Sequence, residues 1–120
     1  MTEGYNGFTN YDTWLVSLWL DNEQYSYDTW RSYARDAIHE AQERKGWTLK
    51  ELVTHRVADQ LKEHHEEAMH DFLKEANMSS SLWADLLGSA LCEVNWTEIA
   101  QHIVDDVLED ELQNSQERRQ

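Results

Sequence analysis

The stretch NYDTWLVSLWLDN, residues 10–22, places two tryptophans and four large aliphatic residues in about three helical turns. The chain around it has 120 residues and a formal net charge of −14. These apolar side chains cover most of the circumference of a helix instead of one stripe, and a helix that is apolar nearly all round is typical of a protein interior. We therefore predict a buried, Trp-rich first helix around which the remaining chain packs.

Composition favours an all-α fold for the whole chain. There is no proline and there are only four glycines, which leaves little turn chemistry for a β fold. A chain of this length forms one domain by default, so residues 1–120 are predicted to be a single compact bundle of about five helices. Residues 1–10 are expected to be an irregular lead-in, with Asn10 or Asp12 available as the first cap, and residues 114–120 to be a frayed tail.

Capping signals set the boundaries of the second and third helices. The second is predicted to end at Gly46, a C-terminal cap that follows basic residues in the last turn. Thr48 and Glu51 form a capping box that opens the third helix. This helix either continues to about residue 76 or divides into two near His64 and His65.

Two more helices complete the predicted bundle. One follows the loop at residues 77–81, and the other begins at Asn95, which with Glu98 resembles a second capping box. The apolar residues of both fall at helical spacing, so we expect those faces, including Trp83 and Trp96, to pack in the core.

Cysteine usage and hydropathy bear on the compartment. Cys92 is the single cysteine, so it cannot form an internal disulfide, and we interpret it as a small apolar filler. The chain opens without a signal-type leader and has no apolar run of about 18 residues, the length that a membrane crossing needs. These features predict a soluble cytoplasmic protein.

The acidic excess is concentrated in the second half of the chain. Residues 63–114 contain thirteen acidic residues against one basic residue, Lys74, whereas residues 31–62 are mildly basic. In the last helix, Asp105 precedes Glu109 and Asp106 precedes Asp110 at the i,i+4 spacing, and each like-charge pair costs an isolated helix about 0.2–0.5 kcal/mol. These carboxylates also crowd the C-terminal half, where the helix dipole favours cations.

The spacing of these charges suggests a function. Five carboxylates over a rise of about 9 Å give one charge per ~1.8 Å, against one per ~1.7 Å of duplex DNA axis. We interpret the surface as an imitation of the phosphate backbone; the alternative is a solvated face that keeps the protein soluble or adapts it to a salty cytosol. The expected partner-binding residues are a first row and a second row: Glu98, Asp105, Asp106, Glu109, Asp110 and Glu111, then Glu63, Glu66, Glu67, Asp71 and Glu75.

The sequence contains no complete catalytic or metal-binding motif. Glu67 and His70 have the ExxH spacing of a di-metal bundle, but a second such pair is missing, and His65 and His70 are five residues apart, which does not fit a zinc-protease motif. His64 and His65 interrupt the apolar stripe, so we expect hydrogen-bonded, partly buried histidines. We predict no enzyme activity, cofactor or metal.

Trp47 is the tryptophan that falls outside the apolar stripes, beside Gly46 at a helix junction. An exposed tryptophan there is suited to anchor a partner or a second copy of the chain. Direct binding of nucleic acid is disfavoured, because 24 acidic residues against 10 basic ones repel phosphate.

Two segments carry a resemblance to a known group of proteins. Residues 10–22 resemble the NYxTWxVxLWLxN opening of small proteins of phages, plasmids and other mobile elements, and LLGSALCEVNWTEIAQHIVDD, residues 86–106, resembles their usual close. The resemblance implies a mobile-element context, in which small acidic proteins are often counter-defence factors.

The residues and the resemblance together predict a non-catalytic anti-CRISPR or anti-restriction inhibitor. Its carboxylates would occupy a DNA- or RNA-binding site on a host defence complex. The alternatives are a helical adaptor or self-associating structural protein of a mobile element and, less favoured, a protein that binds a metal through histidine and carboxylate.

Overall fold

The computed structural model describes residues 4–41 and 47–118, and their dominant feature is five α-helices. The helices are α1 Tyr11–Asn22, α2 Gln24–Glu40, α3 Leu49–Glu75, α4 Leu82–Glu93 and α5 Trp96–Arg118. No strand occurs in these two ranges. The predicted all-α bundle of about five helices is confirmed.

The core lies between α2, α3 and α5. Its fully buried side chains are small or branched aliphatics: Ala34, Ala37, Val53, Val57, Leu61, Ile99, Ala100, Ile103, Val104 and Val107. α3 and α5 run antiparallel, because Lys50 at the start of α3 contacts Asp105 while His65 stacks on Trp96 at the start of α5. The last turns of α3 therefore extend beyond the start of α5.

The prediction of a buried first helix is wrong. The buried residues of α1 are Thr13, Ser17 and Leu20, whereas the Trp19 side chain is 67% exposed. These three positions follow the i, i+4, i+7 pattern of a single helix face, so α1 lies on the surface of the bundle and packs through that face alone. Apolar residues spread all round a helix do not indicate which face packs, and here a hydrogen-bonding threonine and a small serine occupy that face.

The lead-in is irregular as predicted, from Gly4 to Asn10. Tyr5 and Phe8 exchange backbone hydrogen bonds of 2.6 and 2.9 Å across Asn6 and Gly7. Both central residues have positive φ, 47° and 90°, which is the hairpin-type turn that an Asn-Gly pair favours. The Tyr5 ring then packs 4.9 Å from that of Trp14, centroid to centroid, which partly covers the first tryptophan of α1.

The predicted cap of α1 is confirmed and is linked to α5. The Asn10 side chain accepts a hydrogen bond of 2.9 Å from the Thr13 backbone N–H. The Thr13 hydroxyl donates to Asn10 Oδ1 at 2.7 Å and accepts from the Asn95 backbone N–H at 2.9 Å. One buried hydroxyl therefore joins the starts of α1 and α5.

The second helix ends earlier than predicted. α2 ends at Glu40, and the backbone N–H of Ala41 donates to the Ala37 carbonyl. The predicted cap at Gly46, with Arg44 and Lys45, lies outside the described residues.

α3 is one uninterrupted helix. Thr48 accepts from the Glu51 backbone N–H at 3.1 Å, as the capping box predicts, and donates to the Glu51 carboxylate at 3.2 Å. The helix passes through His64 and His65 without a break. Its 27 residues span about 40 Å.

The apolar stripe of α4 is not in the core, contrary to prediction. None of the residues of α4 is buried, and the Trp83 side chain is 56% exposed. Ala84, Gly88 and Leu91 are half-buried at i, i+4, i+7 and face the bundle, whereas the large apolar residues at 82, 83, 86 and 87 are exposed. Cys92 is exposed as well, so its interpretation as a core filler is wrong.

α5 continues further than predicted. It begins with Asn95 accepting from the Glu98 backbone N–H at 3.1 Å, and it reaches Arg118, so the tail expected to fray from residue 114 is helical to that point. Glutamine, glutamate and arginine are strong helix formers, so the sequence of this segment favours continuation of the helix. None of the described helices is both long and apolar enough to cross a membrane.

Candidate partner-binding surfaces

Two carboxylates of the first acidic row are paired with bases of neighbouring helices. Asp105 lies 2.8 Å from Lys50 Nζ on α3, and Asp106 lies 2.7 Å from Arg31 Nη2 on α2. These partners belong to different helices, so Asp105 links α5 to α3 and Asp106 links α5 to α2. Their positions follow from packing. Lys50 compensates the charge of Asp105, whereas the single charge of Arg31 is shared between Asp106 and Asp21.

Arg31 explains the position of Asp106. Its side chain is 4% exposed, lies 3.9 Å above the Tyr27 ring and also contacts Asp21 at 3.2 Å. A buried guanidinium is costly unless a carboxylate is close, so the aspartates of α1 and α5 stabilise it. Nε and Nη1 of Arg31 have no hydrogen-bond partner among the described residues, which makes the two carboxylates all the more necessary.

The ends of the first row are also engaged. Glu98 accepts from the Thr9 backbone N–H at 2.7 Å and from the Thr9 hydroxyl at 3.0 Å, and so fastens the lead-in to α5. Glu111 lies 3.5 Å from His39 Nε2, a pair that is ionic only when the histidine is protonated. Asp105 and Asp106 are therefore the members of this row that pair with lysine or arginine, whereas Glu109 and Asp110 are exposed and have no ion-pair partner within residues 4–41 and 47–114.

The helix dipole disfavours the carboxylates of this row less than predicted. α5 continues seven residues beyond Glu111, and the helix dipole acts mainly within the last turn. The carboxylates at residues 105–111 therefore do not lie at the helix end, and the penalty expected from the dipole is small.

The second row on α3 remains without compensation. Glu63, Glu67, Asp71 and Glu75 follow one another at four-residue intervals, all four are exposed, and none forms an ion pair with a described residue. We call these four residues the α3 ridge. Three successive like-charge pairs cost the isolated helix roughly 0.6–1.5 kcal/mol in total. Glu66, half-buried, lies beside the ridge.

Residues 105–111 of the first row and the last residue of the ridge lie at opposite ends of the bundle. Asp105 contacts Lys50, at the start of α3, whereas the ridge ends at Glu75, 25 residues and about 37 Å further along the same helix. The bundle is 58 Å long, so the rows do not form one continuous surface. One partner-binding site can therefore include only one of these two ends.

The histidines do not assemble a metal site in the described part of the chain, where no group of three or more histidine, cysteine or carboxylate side chains lies close enough to hold an ion. His65 stacks between Trp30 and Trp96, and its Nδ1 lies 2.7 Å from the Leu61 carbonyl, to which it donates. Burial lowers the pKa of His65, so the neutral form is favoured. The prediction of a partly buried, hydrogen-bonded histidine is confirmed for His65, whereas His64 is exposed.

Trp47 is 46% exposed, as predicted, and packs against His55 with 5.9 Å between ring centroids. It borders an open cavity of about 610 Å³ between the start of α3 and α5. The walls are polar and of mixed charge, with Lys50 and Asp105 paired across them. This cavity lacks the apolar lining of a typical ligand pocket.

A surface that the sequence interpretation assigned to the core lies at the end of the bundle. The walls of this feature, which we call the α3–α4 groove, enclose about 530 Å³ and consist of Phe72, Leu73, Met78, Trp83, Leu86 and Leu87. The repeat of large apolar residues in α4 was visible in the sequence, but that repeat does not reveal that Ala84 and Gly88 form the packing face.

The fold and surfaces define a small, acidic, all-α bundle with an uncompensated carboxylate ridge and an apolar groove at one end. The chain belongs to the family of unknown function DUF7249, whose model matches residues 1–117. No curated protein and no solved structure matches the chain.

Proposed function

We propose that the chain is a non-catalytic counter-defence inhibitor, of the anti-CRISPR or anti-restriction type, that binds a basic nucleic-acid-binding surface of a host defence complex. The observation that carries the proposal is the α3 ridge. Its carboxylates are exposed and uncompensated among the described residues, and they cost their own helix stability. An arrangement that local stability disfavours is expected to serve binding.

The ridge presents a single line of negative charges, as one nucleic-acid strand does. Its four carboxylates lie about 6 Å apart along the helix axis, and Glu66 adds a fifth charge beside them. The line is sparser than one strand of duplex DNA, which presents a charge every ~3.4 Å of axis. Each carboxylate accepts charge-assisted hydrogen bonds from lysine or arginine, so a cationic channel for a single strand is the matching partner.

The proposal moves the binding site from α5 to α3. Glu63, Glu66, Glu67, Asp71 and Glu75 remain proposed contacts, whereas Glu98, Asp105, Asp106 and Glu111 are assigned to internal contacts. Glu109 and Asp110 are free of ion pairs with described residues but form only a short acidic patch at the other end.

That patch supplies a matched control for the test. The variant Glu63→Lys/Glu67→Lys and the control Glu109→Lys/Asp110→Lys change the net charge equally, one on α3 and the other on α5. Each tagged protein is incubated with a lysate of its native host, and bound proteins are eluted at about 0.05 M and about 0.5 M salt and identified by mass spectrometry.

We expect the wild type and the control to retain a nucleic-acid-binding complex that high salt and added DNA or RNA displace, and the ridge variant to lose it. Salt-insensitive capture, or equal capture by the ridge variant, would contradict the proposal. Loss in the control alone would return the site to α5.

A second candidate is a helical adaptor that docks through apolar surface. The α3–α4 groove favours it, since the walls are apolar and open to solvent. In that case Trp83→Ala abolishes capture and reversal of the ridge charges does not.

A further inference from the structure

The α3–α4 groove is an apolar surface without a covering element in the described chain. Phe72 is 63% exposed, and Met78, Leu82, Leu86 and Leu87 are exposed beside it. Leucine, phenylalanine and tryptophan clustered in one open surface are uncommon on monomers and mark interaction sites. None of these side chains contributes to the buried core of α2, α3 and α5.

The shape of the groove suits a helix. One wall is the last turn of α3 with Met78 after it, and the other is the outward face of α4, whose residues 82–87 rise about 8 Å. A helix that places apolar residues at i, i+3, i+4 and i+7 has a face of similar length and fits between two such walls.

The charge around the groove favours a partner of opposite charge. Asp71 and Glu75 lie within one turn of Phe72 on α3, whereas Asp85 lies about 160° round α4 from the wall residue Trp83. Neither Asp71 nor Glu75 forms an ion pair with a described residue, and Lys74 is the one lysine or arginine between residues 63 and 114. The α3 side of the groove therefore has a negative rim.

A negative rim disfavours a second copy of the chain. A symmetric dimer through the groove would bring two identical acidic rims together, and each copy carries a formal charge of −14. A partner with lysine or arginine beside its apolar residues gains charge complementarity at the same place.

We propose that the α3–α4 groove binds an amphipathic helix of another protein, with apolar residues in the groove and lysine or arginine against Asp71 and Glu75. The inference goes beyond the proposed function, because it concerns the apolar surface and holds for any cationic partner.

The test uses the full-length protein and fluorescently labelled synthetic peptides of about five helical turns. The first peptide has leucines on one face and lysines beside them; the second replaces lysine with glutamate; the third has the composition of the first in scrambled order. Binding is measured by fluorescence anisotropy, and circular dichroism verifies that each variant is folded.

Variants of the groove walls and of the groove rim, each compared with a control variant, locate the site. Trp83→Ala and Phe72→Ser alter opposite walls of the groove, and Trp19→Ala removes an equally exposed tryptophan elsewhere. For the rim, Asp71→Lys/Glu75→Lys is compared with Glu109→Lys/Asp110→Lys.

We expect the first peptide to bind about tenfold or more tightly than the other two, the scale of an aromatic hot spot. Trp83→Ala or Phe72→Ser should weaken it by a similar factor, Trp19→Ala should not, and the rim variant should prefer the acidic peptide. Equal binding of the scrambled peptide, or indifference to both wall variants, would overturn the proposal. So would a concentration-dependent dimer in analytical ultracentrifugation that Trp83→Ala abolishes, since the occupant would then be a second copy.

Discussion

At the scale of single residues, the basic side chains decide which carboxylates are free. Arg31 is buried and holds Asp21 and Asp106, and Lys50 holds Asp105. The sequence counts all of these acids equally, because helical spacing shows which residues share a face but does not show which bases on other helices lie opposite. The ion pairs therefore leave the α3 ridge as the larger uncompensated acidic row in the described part of the chain.

The Arg31 contact predicts a difference between two aspartates of α5. Asp106→Ala leaves a buried guanidinium with Asp21 as its remaining carboxylate, so the free energy of unfolding should fall by about 1–2 kcal/mol. Asp110→Ala, which removes an exposed aspartate from the same helix, should change it by less than about 0.5 kcal/mol. Urea unfolding followed by circular dichroism gives both values, and equal values would show that Asp106 does not stabilise Arg31.

At the scale of secondary structure, the capping residues were predictable and the packing faces were not. Asn10, Thr48 and Asn95 begin their helices through contacts with residues three positions ahead, and such contacts depend on local sequence alone. Which face of α1 or α4 packs depends on residues far along the chain. In both helices a face of small or hydroxyl side chains is chosen, and this leaves Trp19 and Trp83 exposed.

The hydroxyl of Thr13 provides a test of how α1 is attached. Thr13→Val keeps the shape of the side chain but leaves the Asn95 backbone N–H without its acceptor, so unfolding should become easier by about 1–3 kcal/mol. Thr54 is the control, since it is also buried and its hydroxyl has no hydrogen-bond partner among the described residues. Thermal and urea unfolding should show Thr54→Val to be neutral or stabilising. An equal loss in both variants would mean that the hydrogen bond to Asn95 contributes nothing particular.

The same distinction explains how much of the site was predictable. The second acidic row could be predicted from the sequence, because its residues lie on one helix and their relative positions depend on that helix alone. The α3–α4 groove was missed because an apolar stripe predicts burial whenever a partner helix is available. At the end of α3, beyond the start of α5, residues 4–41 and 47–118 supply no further helix to cover it.

At the scale of the whole molecule, the two ends of the bundle differ in what they offer a partner. One end presents the α3 ridge beside the α3–α4 groove, and the other presents Glu109 and Asp110 beside a polar cavity near Trp47. We propose that the partner binds at the end that carries the ridge and the groove. The ridge and the groove both favour a cationic partner, and they share Asp71 and Glu75.

Backbone amide hydrogen exchange of the chain, alone and with the complex that it captures, tests this claim most directly. We expect binding to slow exchange in residues 63–75 and 82–91 and to leave residues 105–111 unchanged. Protection centred on residues 105–111, with the end of α3 and α4 unaffected, would contradict it.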